Sequence, residues 1–225
     1  MSRSGFGPEA FQAATNVSRE TLDRLIAYAV LLERWSGALN LVGRATLRDL
    51  WRRHMLDSAQ LYPLLPPVLP ATGGRERVVV DLGSGAGFPG LVLAIMGGGQ
   101  VHLIEADRKK AEFLREAARV AGATVSIHAQ RIEDVAPIPA HAVTARALAP
   151  LPRLLAYAAP FLSAPRPPSA GGEGIALFLK GRTLDRELTD STPVWTMDQE
   201  ILPSRTEPAG RILRLRRLQR GNPRT

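Results

Sequence analysis

The segment that most constrains the fold is a short apolar run followed directly by a glycine-rich turn, at residues 78–90 (VVVDLGSGAGFPG). A β-branched run such as VVVDL is typical of a parallel strand that is buried on both faces. Gly83, Gly85 and Gly87 then alternate with other residues, and glycine allows a tight turn whose backbone amides approach a ligand closely. Pro89 suits the start of a helix. The segment therefore predicts a strand, a ligand-binding turn and a helix in succession.

The same alternation continues along the rest of the chain. Further strands are predicted at residues 101–105, 124–129, 141–145 and 175–180. Helices are predicted between them, at residues 88–96 and 108–121, with a shorter one at 183–189 and a loop at 163–174. Strand–helix alternation of this kind indicates a mostly parallel sheet with helices on both faces. Two more runs, at residues 193–202 and 211–216, predict an antiparallel pair that completes a seven-stranded, Rossmann-like α/β sheet.

The first 74 residues have a different pattern. Residues 18–35 carry apolar side chains at spacings of three and four, which predicts an amphipathic helix with Ser18 as its N-cap. A second helix is predicted over residues 46–61, and the proline-rich run after it ends the helix. We therefore expect a helical N-terminal extension, residues 1–74, packed on a core formed by residues 75–225.

Composition excludes several classes of protein. The 225 residues contain no cysteine, which excludes disulfide scaffolds, cysteine-ligated metal sites and cysteine nucleophiles. The net charge is +8, which favours a polyanionic partner, although the preference for arginine over lysine also fits the base composition of the genome. The most apolar stretch, residues 88–96, is too short to cross a bilayer, and the N-terminus lacks the apolar region of a secretory signal. A soluble cytoplasmic protein without a metal centre is expected.

The glycine turn is compatible with two cofactors. Gly85, Gly87 and Gly90 satisfy the dinucleotide fingerprint, with Glu105 twenty residues after the first of them. Asp81, however, stands two residues before Gly83, and a carboxylate there suits a cationic ligand better than a pyrophosphate. This favours S-adenosylmethionine over a nicotinamide cofactor, with Glu105 placed to hold ribose hydroxyls. A purely structural turn is the third interpretation.

Five segments carry a more specific resemblance. They are WSGALNLV (35–42), RHMLDS (53–58), DLGSGAGFPG (81–90), ARALA (145–149) and FLKG (178–181). In these segments and in their order, the chain resembles the bacterial 16S ribosomal RNA guanine-N7 methyltransferases, the glucose-inhibited division protein B family. The resemblance spans about residues 20 to 182.

The resemblance implies a class I S-adenosylmethionine-dependent methyltransferase that modifies N7 of one guanine. The implied partner is 16S ribosomal RNA or a precursor of the small ribosomal subunit, and the enzyme is expected to be a monomer. The cofactor-binding residues, from the loop and from the resemblance together, are Asp81, Gly83, Gly85, Gly87, Phe88, Glu105, Ile132, Glu133 and Arg146. A methyltransferase of another RNA, a protein or a small molecule, and an NAD-dependent oxidoreductase, are the alternatives.

The residues themselves limit the methyl acceptor. Carbon-5 methylation of pyrimidines needs a cysteine, and exocyclic amines usually need a Pro-Pro-aromatic turn where this chain reads TARAL (144–148). A ring nitrogen with a free lone pair, such as guanine N7, needs no general base, so catalysis is expected to consist mainly of positioning.

Arg146 is the one catalytic candidate, because it follows a strand end in an otherwise apolar stretch. It suits guanine O6, a phosphate or a ligand carboxylate, and the alternative is a salt bridge to Asp81 or Glu133. Other candidate RNA contacts, each with a structural or solvated alternative, are Arg52, Arg53, His54, Lys109 and Lys180. The arginine-rich tail, residues 211–224, is expected to form an edge strand with a basic outer face.

Overall fold

The computed structural model describes residues 5–67, 77–165 and 173–221. The predicted boundary between residues 74 and 75, and residues 166–172 of the predicted loop, lie outside the described residues. Within the described part of the chain, no helix has the length and apolar character needed to cross a membrane.

The strands are β1 (Val78–Leu82), β2 (Gln100–Ile104), β3 (Val125–His128), β4 (Ala142–Arg146), β5 (Ile175–Lys180), β6 (Trp195–Pro203) and β7 (Arg211–Arg220). The helices are α1 (Pro8–Thr15), α2 (Arg19–Trp35), α3 (Arg44–Leu47), α4 (Asp57–Ala59), α5 (Gly90–Ile95), α6 (Arg108–Val120), α7 (Leu151–Ser163) and α8 (Leu184–Ser191). They form one seven-stranded sheet in the order β3-β2-β1-β4-β5-β7-β6. The first five strands are parallel, and β7 is antiparallel to both β5 and β6. The predicted Rossmann-like sheet is thereby confirmed.

Neighbouring residues of each parallel strand face opposite sides of the sheet, and each side is covered by helices. Val79 packs into one hydrophobic cluster with side chains from α1, α2, α5 and α6. Val80, the next residue, packs into the other cluster with side chains from α7 and α8. Both valines are fully buried, which explains the unbroken apolar run in β1. The N-terminal helices therefore share a core with one face of the sheet.

The prediction of one continuous helix over residues 46–61 is wrong. The chain forms the short α3, then a π-helical turn at Trp51–Leu56, then α4, and a 3₁₀ turn at Tyr62–Leu64. π-Helical turns are rare and often occur at functional sites. Here the turn and the start of α4 contact Arg146 at the end of β4, and helical periodicity does not encode such a contact.

The basic tail does not form the edge of the sheet, because β7 lies between β5 and β6. Two of its arginines form cross-strand ion pairs with β6, Arg214 with Glu200 and Arg217 with Asp198. The edge prediction is therefore wrong. Alternating leucine and arginine suits an interior antiparallel strand equally well when the neighbouring strand supplies the acids.

Candidate active site

The glycine loop follows β1 and requires glycine for two different physical reasons. At Gly83 the backbone φ is +63°, and a Cβ atom there would lie 2.5 Å from Cδ1 of Leu148. Gly90 does not have a positive φ, but a Cβ atom added there would lie 2.6 Å from the Cβ of Asp81 and 2.4 Å from Cδ2 of Leu103. The loop is thus shaped by a left-handed turn at one end and by close packing on β1 at the other.

Glu105 follows β2 and holds the glycine loop through its side chain. One carboxylate oxygen accepts a hydrogen bond from the Gly85 amide, and the other accepts one from the Asp107 amide, both at 2.8 Å. Asp107 in turn caps α6 by accepting from the amides of Lys109 and Lys110. Each carboxylate oxygen can accept more than one hydrogen bond, so Glu105 keeps acceptor capacity for a ligand.

A cavity of about 430 Å³ opens above the loop, and we call it the loop cavity. Its volume lies within the range of roughly 300–1,000 Å³ that is usual for small-molecule sites. Of the predicted cofactor residues, those that line it are Gly83, Gly85, Phe88, Glu105, Ile132, Glu133 and Arg146. Residues of the N-terminal extension, Leu41 and Val42, complete the wall.

Asp81 and Gly87 do not line the loop cavity, so the structure places them beneath it. Asp81 is fully buried, and its Oδ1 accepts a 2.7 Å hydrogen bond from the Thr144 hydroxyl. Burial raises the pKa of Asp81 to about 6, although hydrogen bonds from Thr144, Ser84 and Gly90 oppose the shift. Asp81 thus lies outside the cavity wall and supports the loop through its hydrogen bonds, and its predicted contact with a cationic ligand stays a prediction.

A second cavity, of about 380 Å³, adjoins the first. Both cavities are lined by Arg146 and Ala147, which therefore lie at their junction. Ala147 has a φ of +51°, a conformation that costs free energy in a residue other than glycine and that clusters at functional sites. The remaining walls come from four places: the N-terminal segment with His54 and Asp57, the end of β5, the start of α8 with Glu187, and the β6–β7 connection with Thr206.

Arg146 is held at this junction by the N-terminal segment. Its Nη1 donates to the carbonyl of Arg53 at 3.1 Å and lies 3.4 Å from Oδ2 of Asp57, while its Nη2 donates to Nδ1 of His54 at 2.8 Å. The guanidinium carbon also lies 4.9 Å from the centre of the Phe88 ring, a cation–π distance. One turn of the RHMLDS segment thus supplies three acceptors for one guanidinium.

The predicted alternative partners of Arg146 are therefore wrong. Its ion pair is with Asp57, 89 residues away along the chain, and not with Asp81 or Glu133. Glu133 instead lies 3.8 Å from Arg153 at the protein surface. Burial lowers the pKa of Arg146, while the nearby Asp57 raises it.

The other predicted RNA contacts lie in two kinds of position. Arg53 and Lys180 line the second cavity, but both are ion-paired, Arg53 with Glu207 and Lys180 with Glu187 at 2.5 Å. Arg52 and Lys109 are exposed and line neither cavity. His54 is buried in the wall of the second cavity. The structure therefore brings Arg53, His54 and Lys180 together and leaves the other two on the outer surface.

Sequence reasoning missed residues that support the site from a distance. The hydroxyl of Tyr28, in α2, donates to the carbonyl of Ala86 in the glycine loop, and Tyr28 is fully buried. Thr206 donates a 2.6 Å hydrogen bond to Oδ1 of Asp57 and so fixes the ion-pair partner of Arg146. Helical periodicity marks Tyr28 only as a core residue, and no local signal distinguishes Thr206.

Solved structures share the fold of this chain. The O-methyltransferase TomG from Streptomyces achromogenes, in complex with SAM, superimposes with a TM-score of 0.55 at 16% identity, covering 95% of this chain and 97% of that one. M. jannaschii TYW2, in complex with AdoMet, gives a TM-score of 0.50 at 15% identity, covering 73% of this chain and 77% of that one. At these identities the similarity establishes the fold alone.

Sequence relatives are much closer. The chain is 58% identical to ribosomal RNA small subunit methyltransferase G of Rhodospirillum centenum, over 91% of this chain and 88% of that protein. It is 52% identical to the protein of the same name from Rhodospirillum rubrum, over 95% and 98% of the two chains. The family model GidB, described as rRNA small subunit methyltransferase G, matches residues 21–210. This chain therefore belongs to the GidB family.

Proposed function

We propose that this protein transfers a methyl group from S-adenosylmethionine to N7 of a guanine in 16S ribosomal RNA, in the cytoplasm and as a monomer. The observation that carries the proposal is the pair of cavities that meet at Arg146 and Ala147. Methyl transfer needs a donor and an acceptor side by side, and two adjoining cavities of this size can hold them. The relatives named ribosomal RNA small subunit methyltransferase G support the same class of substrate.

The loop cavity fits S-adenosylmethionine. Glu105 retains acceptor capacity for ribose hydroxyls, and the Phe88 and Ile132 side chains offer apolar contact to an aromatic base. At Gly85 a Cβ would meet only the Gly83 carbonyl, at 3.8 Å, so the loop leaves open space beside it. S-adenosylmethionine, when bound, supplies a methyl group attached to a positively charged sulfur.

The second cavity is proposed to hold the guanine. N7 of guanine carries a free lone pair, so its attack requires no prior loss of a proton, and the chain needs no general base. Arg146 suits recognition of guanine O6, because arginine carries only donors and O6 is an acceptor. The base has to be unpaired or extruded to enter such a cavity, as is usual for enzymes that modify a base.

The first experiment identifies the cofactor. Purified protein is titrated calorimetrically with S-adenosylhomocysteine, NAD and NADP in parallel. We expect micromolar binding of S-adenosylhomocysteine alone. Binding of a nicotinamide cofactor instead would contradict the proposal and support an oxidoreductase.

The second experiment tests the transfer. Methyl-labelled S-adenosylmethionine is incubated with the protein and either naked 16S RNA, small-subunit precursors or total protein. Label is expected in the RNA and not in protein, and Arg146→Ala is expected to lose the transfer while keeping the circular dichroism of the fold. Label in protein and not in RNA would contradict the proposal.

A further inference from the structure

His54 has an environment that fixes one protonation state and one tautomer. The side chain is 8% exposed and lies between two partners. Its Nδ1 is 2.8 Å from Nη2 of Arg146, and its Nε2 is 2.9 Å from the hydroxyl of Thr46. The imidazole ring also packs against the Phe88 ring, with 5.0 Å between the ring centres.

The direction of each hydrogen bond follows from the chemistry of the partners. Arginine can only donate, so Nδ1 of His54 has to be an unprotonated acceptor. The Thr46 hydroxyl donates its own hydrogen to the Gly43 carbonyl, at 2.9 Å, so it is free to accept from His54. His54 is therefore neutral, with its single proton on Nε2.

The electrostatics agree with this assignment. Burial lowers the pKa of His54 to about 3, and the positive charges of Arg146 and Arg53 act in the same direction. Asp57, the nearby carboxylate, interacts with Arg146 at its other terminal nitrogen. His54 thus stays neutral throughout the physiological range, and a role as a cationic contact to RNA phosphate or as a general acid does not fit.

We propose that His54 is a positioning residue that acts through Arg146, holding the guanidinium at the junction of the two cavities. The proposal rests on the proposed function and adds a role within the same site. Arg146 has five N–H donors, and its described contacts with Arg53, Asp57 and His54 account for three of them. These three hydrogen bonds fix the guanidinium, so its remaining N–H donors point in a defined direction at the junction of the two cavities. Thr46 and Phe88 in turn fix the ring of His54.

The decisive comparison uses two substitutions at the same position. His54→Leu removes the acceptor, whereas His54→Asn places an amide oxygen where Nδ1 stood, since the two side chains share their first two atoms. We expect kcat for methyl transfer to fall about 10- to 100-fold in His54→Leu, the range expected for losing a hydrogen bond to a charged group. His54→Asn is expected to recover kcat to within about threefold of wild type by the same reasoning.

Two controls separate positioning from loss of structure. S-adenosylhomocysteine affinity and the melting temperature are measured for both variants. His102→Leu is the matched histidine control, because His102 lies in β2 and lines neither cavity. Its kcat is expected to remain at the wild-type value.

Nitrogen-15 NMR of the wild-type histidines gives a readout that is independent of activity. His54 is expected to show a protonated Nε2 and an unprotonated Nδ1, without titration between pH 5 and 8. A protonated Nδ1, a titration near pH 6.5, equal losses of kcat in the two variants, or full activity in His54→Leu would overturn the proposal. A wild-type protein with the expected NMR signature but no methyl transfer to RNA would instead overturn the proposed function.

Discussion

Asp81 shows how one buried residue makes stability depend on pH. Its pKa is raised to about 6 by burial, from an ordinary value of 3.8. Between these values the folded state binds more protons than the unfolded state, so this carboxylate makes the fold less stable as the pH rises through that window.

The prediction compares wild type with Asp81→Asn, which cannot titrate. From pH 4.5 to pH 7, the unfolding free energy of wild type is expected to fall relative to the variant by about 2 kcal/mol, since one pKa unit corresponds to about 1.4 kcal/mol. Urea unfolding at the two pH values measures this difference. A difference that is constant with pH would show that Asp81 titrates normally in the fold, and a change in the opposite direction would show that its pKa is lowered there; either result would contradict the prediction.

Gly83 is the residue at which a single methyl group should affect both stability and binding. Gly83→Ala places a Cβ at a positive φ and 2.5 Å from Leu148, a residue of the cavity wall. We expect a loss of about 1–2 kcal/mol in unfolding free energy from the backbone strain, together with at least tenfold weaker S-adenosylhomocysteine binding. Gly37→Ala is the control, because Gly37 has an ordinary φ and no tight contact. Equal behaviour of the two variants would contradict the requirement for glycine in the loop.

At the scale of elements, the N-terminus of α6 links helix stability to the cofactor site. Asp107 caps this helix with its side chain, while its amide donates to Glu105. Asp107→Ala is expected to lower the unfolding free energy by about 1 kcal/mol and to weaken S-adenosylhomocysteine binding. Ser18→Ala removes the cap of α2 and is expected to cost similar stability without affecting binding. Thermal melts measure the stability of each variant, and calorimetry measures its affinity for S-adenosylhomocysteine. Unaltered affinity in Asp107→Ala would show that the helix cap does not contribute to cofactor binding.

The elements that sequence predicts well are those whose pattern has a local cause. Strand β1 is buried on both faces, so all of its residues except Asp81 are apolar. Ser18 caps α2 within the same turn of chain. The secondary structure of residues 44–64 is not determined by a local sequence pattern of this kind. Its π-helical turn contacts Arg146 of β4, which is distant in sequence, so periodicity alone predicts a continuous helix. The interior position of β7 likewise depends on acids supplied by β6.

At the scale of the whole molecule, the N-terminal helices and the sheet should unfold together. They share one hydrophobic cluster, and Leu41 and Val42 complete the wall of the loop cavity. Calorimetry is expected to show one transition with equal calorimetric and van't Hoff enthalpies. S-adenosylhomocysteine at 100 times its Kd should stabilise the whole protein by about 2.7 kcal/mol. Two transitions, with only one shifted by the ligand, would show that the extension is a separate unit.

The site as a whole was predictable only in part. The glycine loop and Glu105 come from adjacent strands, and their spacing follows from the order of a parallel sheet. The ion pair between Arg146 and Asp57 joins residues that are 89 positions apart, and the hydrogen bond between Thr206 and Asp57 joins residues that are 149 positions apart. Such contacts depend on how the N-terminal segment and the β6–β7 connection meet over the sheet, so no local pattern specifies them.

The most direct test of the proposed activity is the chemical identity of the modified nucleoside. Labelled 16S RNA from the transfer reaction is digested to nucleosides, which are separated by liquid chromatography and identified by mass spectrometry. The label is expected in 7-methylguanosine with wild-type protein and not with Arg146→Ala. Label in any other nucleoside, or 7-methylguanosine formed equally well by Arg146→Ala, would contradict the assignment of the second cavity and of Arg146.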